Sequence, residues 1–236
     1  SAFLETQSPT SEALITPKTI HVLNFVLFPS PHIYEKNDSD GESCGYLGLP
    51  IFGADIVTLP GNKHLVALDF QPVLPLDNDN DGKQKPSLFP RQYLQLEEKL
   101  QTIHSKYQKS SSDSTPLLPW GGDIPPQATR FFSPYALWTR LSDENAMDTV
   151  DTVVWQAFQE YTDLYLELMG AVQDDVDAGK LGLGAQTDDS ENPVLDGQIE
   201  YLEYRRTNDP ARPMLQRLYG NEWSERVIGD VLFPDL

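Results

Sequence analysis

The sequence IFGADIVTLPGNKHLVALDFQ, residues 51–71, decides the fold of this chain. Two stretches of it, 51–59 and 64–71, are rich in β-branched and aromatic residues, and the turn sequence PGN lies between them at 60–62. Strand-forming stretches on either side of such a turn are typical of a β-hairpin. We therefore predict two antiparallel strands joined by this turn.

Further strands are predicted on both sides of the hairpin. Residues 20–28 carry apolar side chains on both faces, which is the pattern of a strand that is covered on two sides. Residues 131–141 have the composition of a strand that contains Pro134. Because proline donates no ladder hydrogen bond, this strand suits a sheet edge or a bulge.

Helices are predicted mainly in the second half of the chain. Apolar residues recur at helical spacing over 91–109 and, most clearly, over 150–172. Three shorter helices are predicted at 195–206, 210–219 and 222–230. Strands come first and helices later, so we predict one α/β domain of the α+β type over residues 1–236, with helices covering an antiparallel sheet.

Polar stretches that contain glycine, proline or serine separate these elements. We predict loops at 30–48, 77–90, 110–119 and 174–192, the last of them mobile. The sequence DNDNDG at 77–82 imitates the start of a calcium-binding loop, but the twelfth position is Leu88 instead of glutamate. A solvated loop is therefore the favoured interpretation there.

The composition excludes several classes of function. A formal net charge of -19 would repel a phosphate backbone, so no nucleic-acid partner is expected. No apolar run reaches the roughly 18 residues that span a bilayer, and no membrane partner is expected. The single cysteine, Cys44, forms no internal disulfide and no cysteine-ligated cluster. Since no nicotinamide or flavin motif is visible either, a redox enzyme of this sequence would receive its electrons from another protein.

Strand periodicity places polar residues among apolar neighbours. Asn24 shares a strand face with apolar side chains, and Asp69 and Gln71 share a face with Leu65 and Ala67. Desolvation at such a position favours the protonated carboxyl, which can deliver a proton near neutral pH. The alternative is a buried structural carboxylate held by backbone amides. Periodicity alone leaves both interpretations of Asp69 open.

A second carboxylate, Asp209, stands directly before Pro210. Aspartate before proline is a common way to begin a helix, and capping alone would explain it. From the residues alone, the structural interpretation of Asp209 is favoured.

Several blocks of this sequence resemble, in the same order, those of the ferredoxin-dependent bilin reductases. The blocks are LNFV at 23–26, LPIFGAD at 49–55, ALDFQP at 67–72, FFSP at 131–134, WTR at 138–140, NDPAR at 208–212 and DVLF at 230–233. They cover the chain from about residue 20 to its end. Several blocks in order are far more specific than any single motif.

The resemblance implies a three-layer α/β/α sandwich with a central antiparallel sheet, which holds an open-chain tetrapyrrole between the sheet and the carboxy-terminal helices. Asp69 matches the family's central proton-donating aspartate, and Asp209 matches its second one. Arg140 matches a position that binds a propionate, which a guanidinium can pair with through two hydrogen bonds. The other residues expected to bind the substrate are Asn24, Gln71, Ser133 and Arg205.

Within the family, the blocks resemble the phycoerythrobilin-forming branch most. These blocks are ALDFQP, WGG at 120–122 and YTDLYLEL at 161–168. Asn24 stands where phycocyanobilin-forming relatives have a catalytic histidine, which argues against that branch. The implied reaction is reduction of 15,16-dihydrobiliverdin at its A-ring diene system. The alternatives are reduction of biliverdin, as in phytochromobilin synthases, and a bilin carrier without catalysis.

The resemblance also implies a partner and a location. No cofactor is expected to be bound, because a reduced 2Fe–2S ferredoxin would supply the electrons singly to a monomer. Since ferredoxins of this kind are acidic, we expect a local basic docking face formed by Arg205, Arg206, Arg212 and Arg217. Insertions suggest the plastid stroma of a eukaryotic alga, with a cyanobacterial cytoplasm as the alternative. Part of the family's amino-terminal segment is expected to be missing ahead of Ser1.

Overall fold

The structure is a computed structural model that describes residues 20–36, 43–76, 87–108, 117–184, 192–209 and 211–234. Its strands are β1 (His21–Leu27), β2 (Ile33–Lys36), β3 (Ser43–Tyr46), β4 (Ile51–Leu59), β5 (Lys63–Gln71), β6 (Leu137–Leu141) and β7 (Leu181–Leu183). Its α-helices are α1 (Leu94–Tyr107), α2 (Ala146–Thr149), α3 (Trp155–Asp177), α4 (Pro193–Asn208), α5 (Arg212–Tyr219) and α6 (Asn221–Arg226). Short 3₁₀ turns lie at Arg91–Tyr93 and Pro126–Phe131, and π turns at Val150–Val154 and Val227–Leu232.

The predicted hairpin is the centre of the main sheet, which is antiparallel and has the strand order β1-β4-β5-β6. Gly61 and Asn62 form the turn with φ values of 85° and 58°. Glycine and asparagine adopt this left-handed conformation more readily than other residues, which explains their place between the two strands. The register sets Gly53 opposite Asp69 and Asp55 opposite Ala67.

One face of the sheet carries the main hydrophobic core. Phe52 on β4 and Phe70 on β5 contact each other edge to face, with ring centroids 5.4 Å apart, and both contact Tyr165 of α3. Buried residues of the sheet, α1 and α3 complete this core, among them Ala54, Val66, Leu68, Leu96, Leu100, Tyr161 and Leu168.

The opposite face of the sheet is covered at one end by α4. The side chain of Asn192 caps this helix by accepting hydrogen bonds from the amides of Val194 and Leu195, each at 3.1 Å. Val194 and Tyr201 then pack with Ile51 of β4. Helices on both faces of an antiparallel sheet make the three layers that were predicted, and the α/β fold class is confirmed.

A second, three-stranded sheet corrects two of the loop predictions. Its order is β3-β2-β7, so the predicted loop 30–48 contains two strands and the predicted loop 174–192 contains the end of α3 and a third strand. Strands of three or four residues show too few alternations to be recognised, and β2 pairs with β7 across almost 150 positions of sequence. The predicted loop residues 37–42, 77–86, 109–116 and 185–191 lie outside the described part of the chain.

The other elements differ from their predictions mainly at the ends. The predicted strand 131–141 is a strand only over Leu137–Leu141, because Phe131 ends the turn Pro126–Phe131 and the amide of Ala136 donates to the carbonyl of Ser133 in a further turn. The helix predicted at 210–219 begins at Arg212, since Asp209 and Ala211 form the connection before it.

Among the described residues, no helix has both the length and the apolar character needed to cross a bilayer.

A glycine in α4 tests how closely this helix approaches the sheet. A Cβ added at Gly197 would lie 2.0 Å from the carbonyl oxygen of Val73, whereas a Cβ at Gly170 of α3 would meet no atom within 4 Å. We expect Gly197→Ala to lower the free energy of unfolding by about 1–3 kcal/mol. Gly170→Ala, the matched control, should raise it by up to about 1 kcal/mol. Urea denaturation of both variants measures this, and equal effects would contradict the close approach.

Candidate functional site

The face of the sheet under α4 collects most of the predicted site residues. Partners in an antiparallel register point to the same side, and Asn24 of β1 lies opposite Asp55 of β4. Asp69 lies opposite Gly53 and Gln71 opposite Ile51, so these side chains share the face with Asn24. Arg140 of β6 lies opposite Leu65 and joins them. The two separate predictions of strand alternation, one for Asn24 and one for Asp69 and Gln71, are confirmed, and the register of the sheet brings the two faces to one side.

This face has a covered end and an open end. At the covered end, Asp69 and Gln71 are only 2% and 5% exposed. Toward the other end, Leu65 and Ala67 are half-buried, and Val22 on β1 is 56% exposed. Apolar side chains open to water beside buried polar groups are typical of a binding site for a largely apolar ligand.

Asp69 is held by the FFSP segment. The backbone amide of Ser133 donates to one carboxyl oxygen at 2.9 Å, and its hydroxyl donates to the other at 2.5 Å. Burial raises the pKa of Asp69 to about 7, although these hydrogen bonds act in the opposite direction. A carboxyl group with this pKa can both hold and release a proton near neutral pH.

Gln71 offers an unused acceptor next to Asp69. Its side-chain oxygen Oε1 is buried and has no hydrogen-bond partner among the described residues. Gly53 on the neighbouring strand makes room for it, since a Cβ at that position would lie 2.8 Å from Oε1. A buried acceptor without a partner is costly, so Gln71 is well suited to accept an N–H of a ligand.

The WGG motif supports Trp138 and Arg140 at the open end. The amide of Gly121 donates to the carbonyl of Trp138 at 2.9 Å, and the indole Nε1 donates to the carbonyl of Gly122 at 3.0 Å. A Cβ at Gly121 would lie 2.8 Å from the indole ring, which explains the glycine. The exposed guanidinium of Arg140 lies 5.1 Å from the ring centre of Trp138 and can bind a carboxylate.

Asp55 is a site residue that the sequence reasoning missed. Asn24 donates from its side-chain nitrogen to Oδ1 of Asp55, and Arg205 of α4 lies 3.3 Å from Oδ2. Burial raises the pKa of Asp55, and the charge of Arg205 opposes that effect. Asp55 could have been found from its position in a predicted strand. It lies two residues after Gly53, so both positions point to the same side, and it lies across the hairpin from Ala67.

Tyr201 of α4 was missed as well, and it lies near the carboxyl groups of the sheet. Its hydroxyl is within 3.4 Å of Arg205, and its side chain is 1% exposed. Burial raises its pKa to about 12, Arg205 lowers it, and the charges of Asp55 and Asp69 raise it. Tyr201 therefore lies within electrostatic range of both aspartates.

Asp209 lies directly after the end of α4 and is 7% exposed. Its Oδ1 accepts a hydrogen bond of 2.7 Å from the amide of Ala211, the residue directly before α5. The charge of Asp209 also acts on Asp55 and on Arg205. Asp209 therefore lies within electrostatic range of Asp55 and Arg205.

Three of the four arginines of the expected docking cluster are engaged in contacts within the chain, and Arg217 is exposed. The side chain of Arg205 is only 14% exposed because it pairs with Asp55, so its assignment to this cluster is wrong. Arg206 donates to the carbonyl of Phe233, and Arg212 pairs with Glu225.

In the part of the chain that the structure describes, no group of three His, Cys, Asp or Glu side chains could hold a metal ion.

Comparisons with known proteins point to one family. A family model described as "Ferredoxin-dependent bilin reductase" matches residues 11–234. Phycoerythrobilin:ferredoxin oxidoreductase of Prochlorococcus marinus strain SARG is 40% identical over 217 residues, which are 92% of this chain and 67% of the relative. The protein of the same name from strain MIT 9211 is 40% identical over 186 residues, covering 78% of this chain and 60% of the relative.

A solved structure is similar in fold as well. Phytochromobilin synthase from tomato in complex with biliverdin superimposes with a TM-score of 0.62 at 28% identity. The match covers 91% of this chain and 60% of the tomato chain. The chain therefore spans between 60% and 67% of the length of these relatives.

The raised pKa of Asp69 predicts how stability depends on pH. The folded chain keeps this proton up to about pH 7, whereas an unfolded aspartate loses it near pH 4. Between these values the folded state binds the extra proton, so the free energy of unfolding falls as the pH rises. Asp69→Asn does not titrate and should gain stability relative to the unaltered chain over this window, by at most about 4 kcal/mol.

Urea denaturation at about pH 5 and pH 8 measures this difference. Asp163→Asn, which changes an exposed carboxylate of α3, is the control and should show a constant difference. If the free energy of unfolding of Asp69→Asn also differed from that of the unaltered chain by the same amount at both pH values, the buried carboxyl would not hold its proton as proposed.

Proposed function

Because the chain belongs to the ferredoxin-dependent bilin reductase family, we propose that it reduces 15,16-dihydrobiliverdin at the A-ring diene system to phycoerythrobilin. Reduced ferredoxin supplies the electrons. The observation that carries the proposal is the buried Asp69 carboxyl at the inner end of an apolar, water-accessible sheet face. Relatives named phycoerythrobilin:ferredoxin oxidoreductase, 40% identical to this chain, support the choice of product.

The open sheet face suits a flat, open-chain tetrapyrrole. Its half-buried apolar residues can cover the pyrrole rings, and burial of such surface stabilises the complex. We assign Arg140 to a propionate at the open end and Gln71 to a pyrrole N–H at the covered end. Asn24, Ser133 and Arg205 complete the binding residues, Ser133 through its hydrogen bonds to Asp69.

Proton transfer follows from the burial of the site. Each electron that enters the bilin adds negative charge, and an unpaired charge in an apolar site is costly. A proton must therefore accompany the electrons, and a donor with a pKa near 7 can provide it. Asp69 is fixed to the sheet and protonates the bilin early, whereas Asp209 supplies a later proton. No cofactor needs to be bound, since ferredoxin delivers electrons one at a time.

Two alternative functions differ from this proposal, one in its substrate and the other in lacking catalysis. A phytochromobilin synthase-like enzyme would reduce biliverdin, and the tomato enzyme of that name is 28% identical to this chain. The higher identity of the phycoerythrobilin-forming relatives favours the first reaction. A bilin carrier would gain nothing from two carboxyl groups in a largely apolar site, because their burial is costly.

Two observations bear on the location of the protein. Its relatives are cyanobacterial, whereas the insertions in its sequence suggest a eukaryotic alga. We propose the plastid stroma, with the cyanobacterial cytoplasm as the alternative that the relatives from Prochlorococcus favour. The protein acts as a monomer in this proposal.

Turnover with separate substrates tests the choice of reaction. In anaerobic assays with reduced ferredoxin, we expect 15,16-dihydrobiliverdin to become phycoerythrobilin and biliverdin to bind but react poorly. Absorbance spectra and chromatography identify the products. Efficient conversion of biliverdin to phytochromobilin would support the rival assignment instead.

Replacing each aspartate separately tests the two proton donors. Asp69→Asn should keep bilin binding but nearly abolish product, because an amide has a similar shape and donates no acidic proton. Asp209→Asn should let a reduced bilin radical accumulate, because the later proton is missing. Stopped-flow absorbance and electron paramagnetic resonance under anaerobic conditions distinguish the two.

The exposed variant Asp163→Asn again serves as the control and should react like the unaltered chain. Full activity of Asp69→Asn would remove Asp69 from catalysis and leave the structural interpretation.

A further inference from the structure

One ion pair joins the main sheet to the helical layer that ends at Asp209. Arg205 of α4 and Asp55 of β4 lie 3.3 Å apart, and their side chains are 14% and 31% exposed. Arg205 precedes Asp209 by four residues, which is about one helical turn. The pair therefore holds the last turn of α4 at a defined place over the sheet.

Both members of the pair are fixed by further contacts. Asn24 on the neighbouring strand donates to the other carboxyl oxygen of Asp55. The guanidinium of Arg205 lies 4.8 Å from the ring centre of Phe233 and 6.0 Å from that of Tyr201. A planar guanidinium between aromatic rings and a carboxylate has little freedom to rotate. The geometry of the contact is thus specified from both sides.

Stability alone does not explain such a pair. Apolar residues of similar volume often replace a buried ion pair at no cost in stability, because desolvation of the charges offsets their attraction. The contact instead ties α4 to β4, the strand that neighbours the one with Asp69. Asp69 is on β5, next to β4, and Asp209 is at the end of α4.

We propose that the Asp55–Arg205 ion pair is a positioning device that sets the place of Asp209 relative to the sheet that carries Asp69. Asp55 is thus a positioning residue for the second proton transfer, and neither its carboxylate nor this contact of Arg205 takes part in the chemistry directly. This inference rests on the proposed role of Asp209 as the later proton donor.

Removal of Asp55 has a specific expected consequence. Asp209 is the other carboxylate whose charge acts on Arg205. Without Asp55, the guanidinium keeps its charge in a nearly buried place and is drawn toward Asp209. The second donor then leaves its working position although its own side chain is unchanged.

Anaerobic single-turnover kinetics of Asp55→Asn with reduced ferredoxin and 15,16-dihydrobiliverdin tests the inference. We expect product formation to slow by between about 10-fold and 100-fold, the range that misplacement of a reacting group causes. The bilin radical should accumulate as in Asp209→Asn, and the slowing should persist when the bilin is saturating. The double variant Asp55→Asn/Asp209→Asn should be no slower than Asp209→Asn alone.

A second ion pair on the same helix provides the matched control. Arg130 and Glu200 lie 2.8 Å apart, tie α4 to the turn Pro126–Phe131, and are 37% and 51% exposed. Arg130→Gln should keep the unaltered rate, because an exposed pair contributes little. Arg205→Met removes the other half of the Asp55–Arg205 pair and, at saturating bilin, should also accumulate the radical. It gives the same test if Asp55→Asn does not fold.

Four results would overturn the positioning role. The first is an unaltered rate in both Asp55→Asn and Arg205→Met, and the second is recovery of the full rate of Asp55→Asn at saturating bilin. The third is slowing that adds to that of Asp209→Asn. The fourth is a lower melting temperature with an unaltered rate per folded molecule. If Asp209→Asn itself forms product at the unaltered rate, the proposed role of Asp209 fails and the positioning role fails with it. A slow Asp209→Asn beside unaltered rates in both Asp55→Asn and Arg205→Met overturns the positioning role alone.

Discussion

Every second side chain of the β4–β5 hairpin points to the same side of the sheet, and this constraint organises the whole structure. It sends Phe52 and Phe70 to the core under α1 and α3. It sends Asp55, Asp69 and Gln71 to the opposite side under α4. Since a shift of the register by one residue would exchange the two sets, the large aromatic core fixes the place of the polar groups. The apolar layer thus positions the chemistry of the other layer.

The polar side chains on the α4 side of the sheet lower the stability of the fold, so their presence indicates a function. Burial keeps a proton on Asp69 up to about pH 7, which works against stability at higher pH. Gln71 leaves a buried oxygen without a partner among the described residues, and the ion pair of Asp55 with Arg205 brings little net stability. Selection for stability alone would replace such groups with apolar ones. Their presence on one half-open face is better explained by a ligand that uses them.

Local patterns could be predicted from the sequence, whereas distant pairings could not. Period-two alternation was enough to place Asp69 and Gln71 on one face, and the ordered blocks were enough to identify the family, which the comparisons confirm. Asp55 was missed because its significance depends on Arg205, 150 positions away. The same reason explains why the burial of Arg205 was not predicted. In the sequence it is one of several arginines near the end of the chain, and its partner Asp55 is distant. The short strand β7 was missed because its partner β2 is equally remote.

The two proposed proton donors differ in how they are held, and the difference follows from the layers. Two hydrogen bonds from Ser133 fix Asp69 to the sheet. Asp209 is held by one amide in the connection after α4 and by the ion pair that anchors this helix. Substitutions in the helical layer can therefore move the second carboxyl without disturbing the first. A sheet-bound donor paired with a helix-bound donor thus allows the proposed later protonation to change while the first is kept.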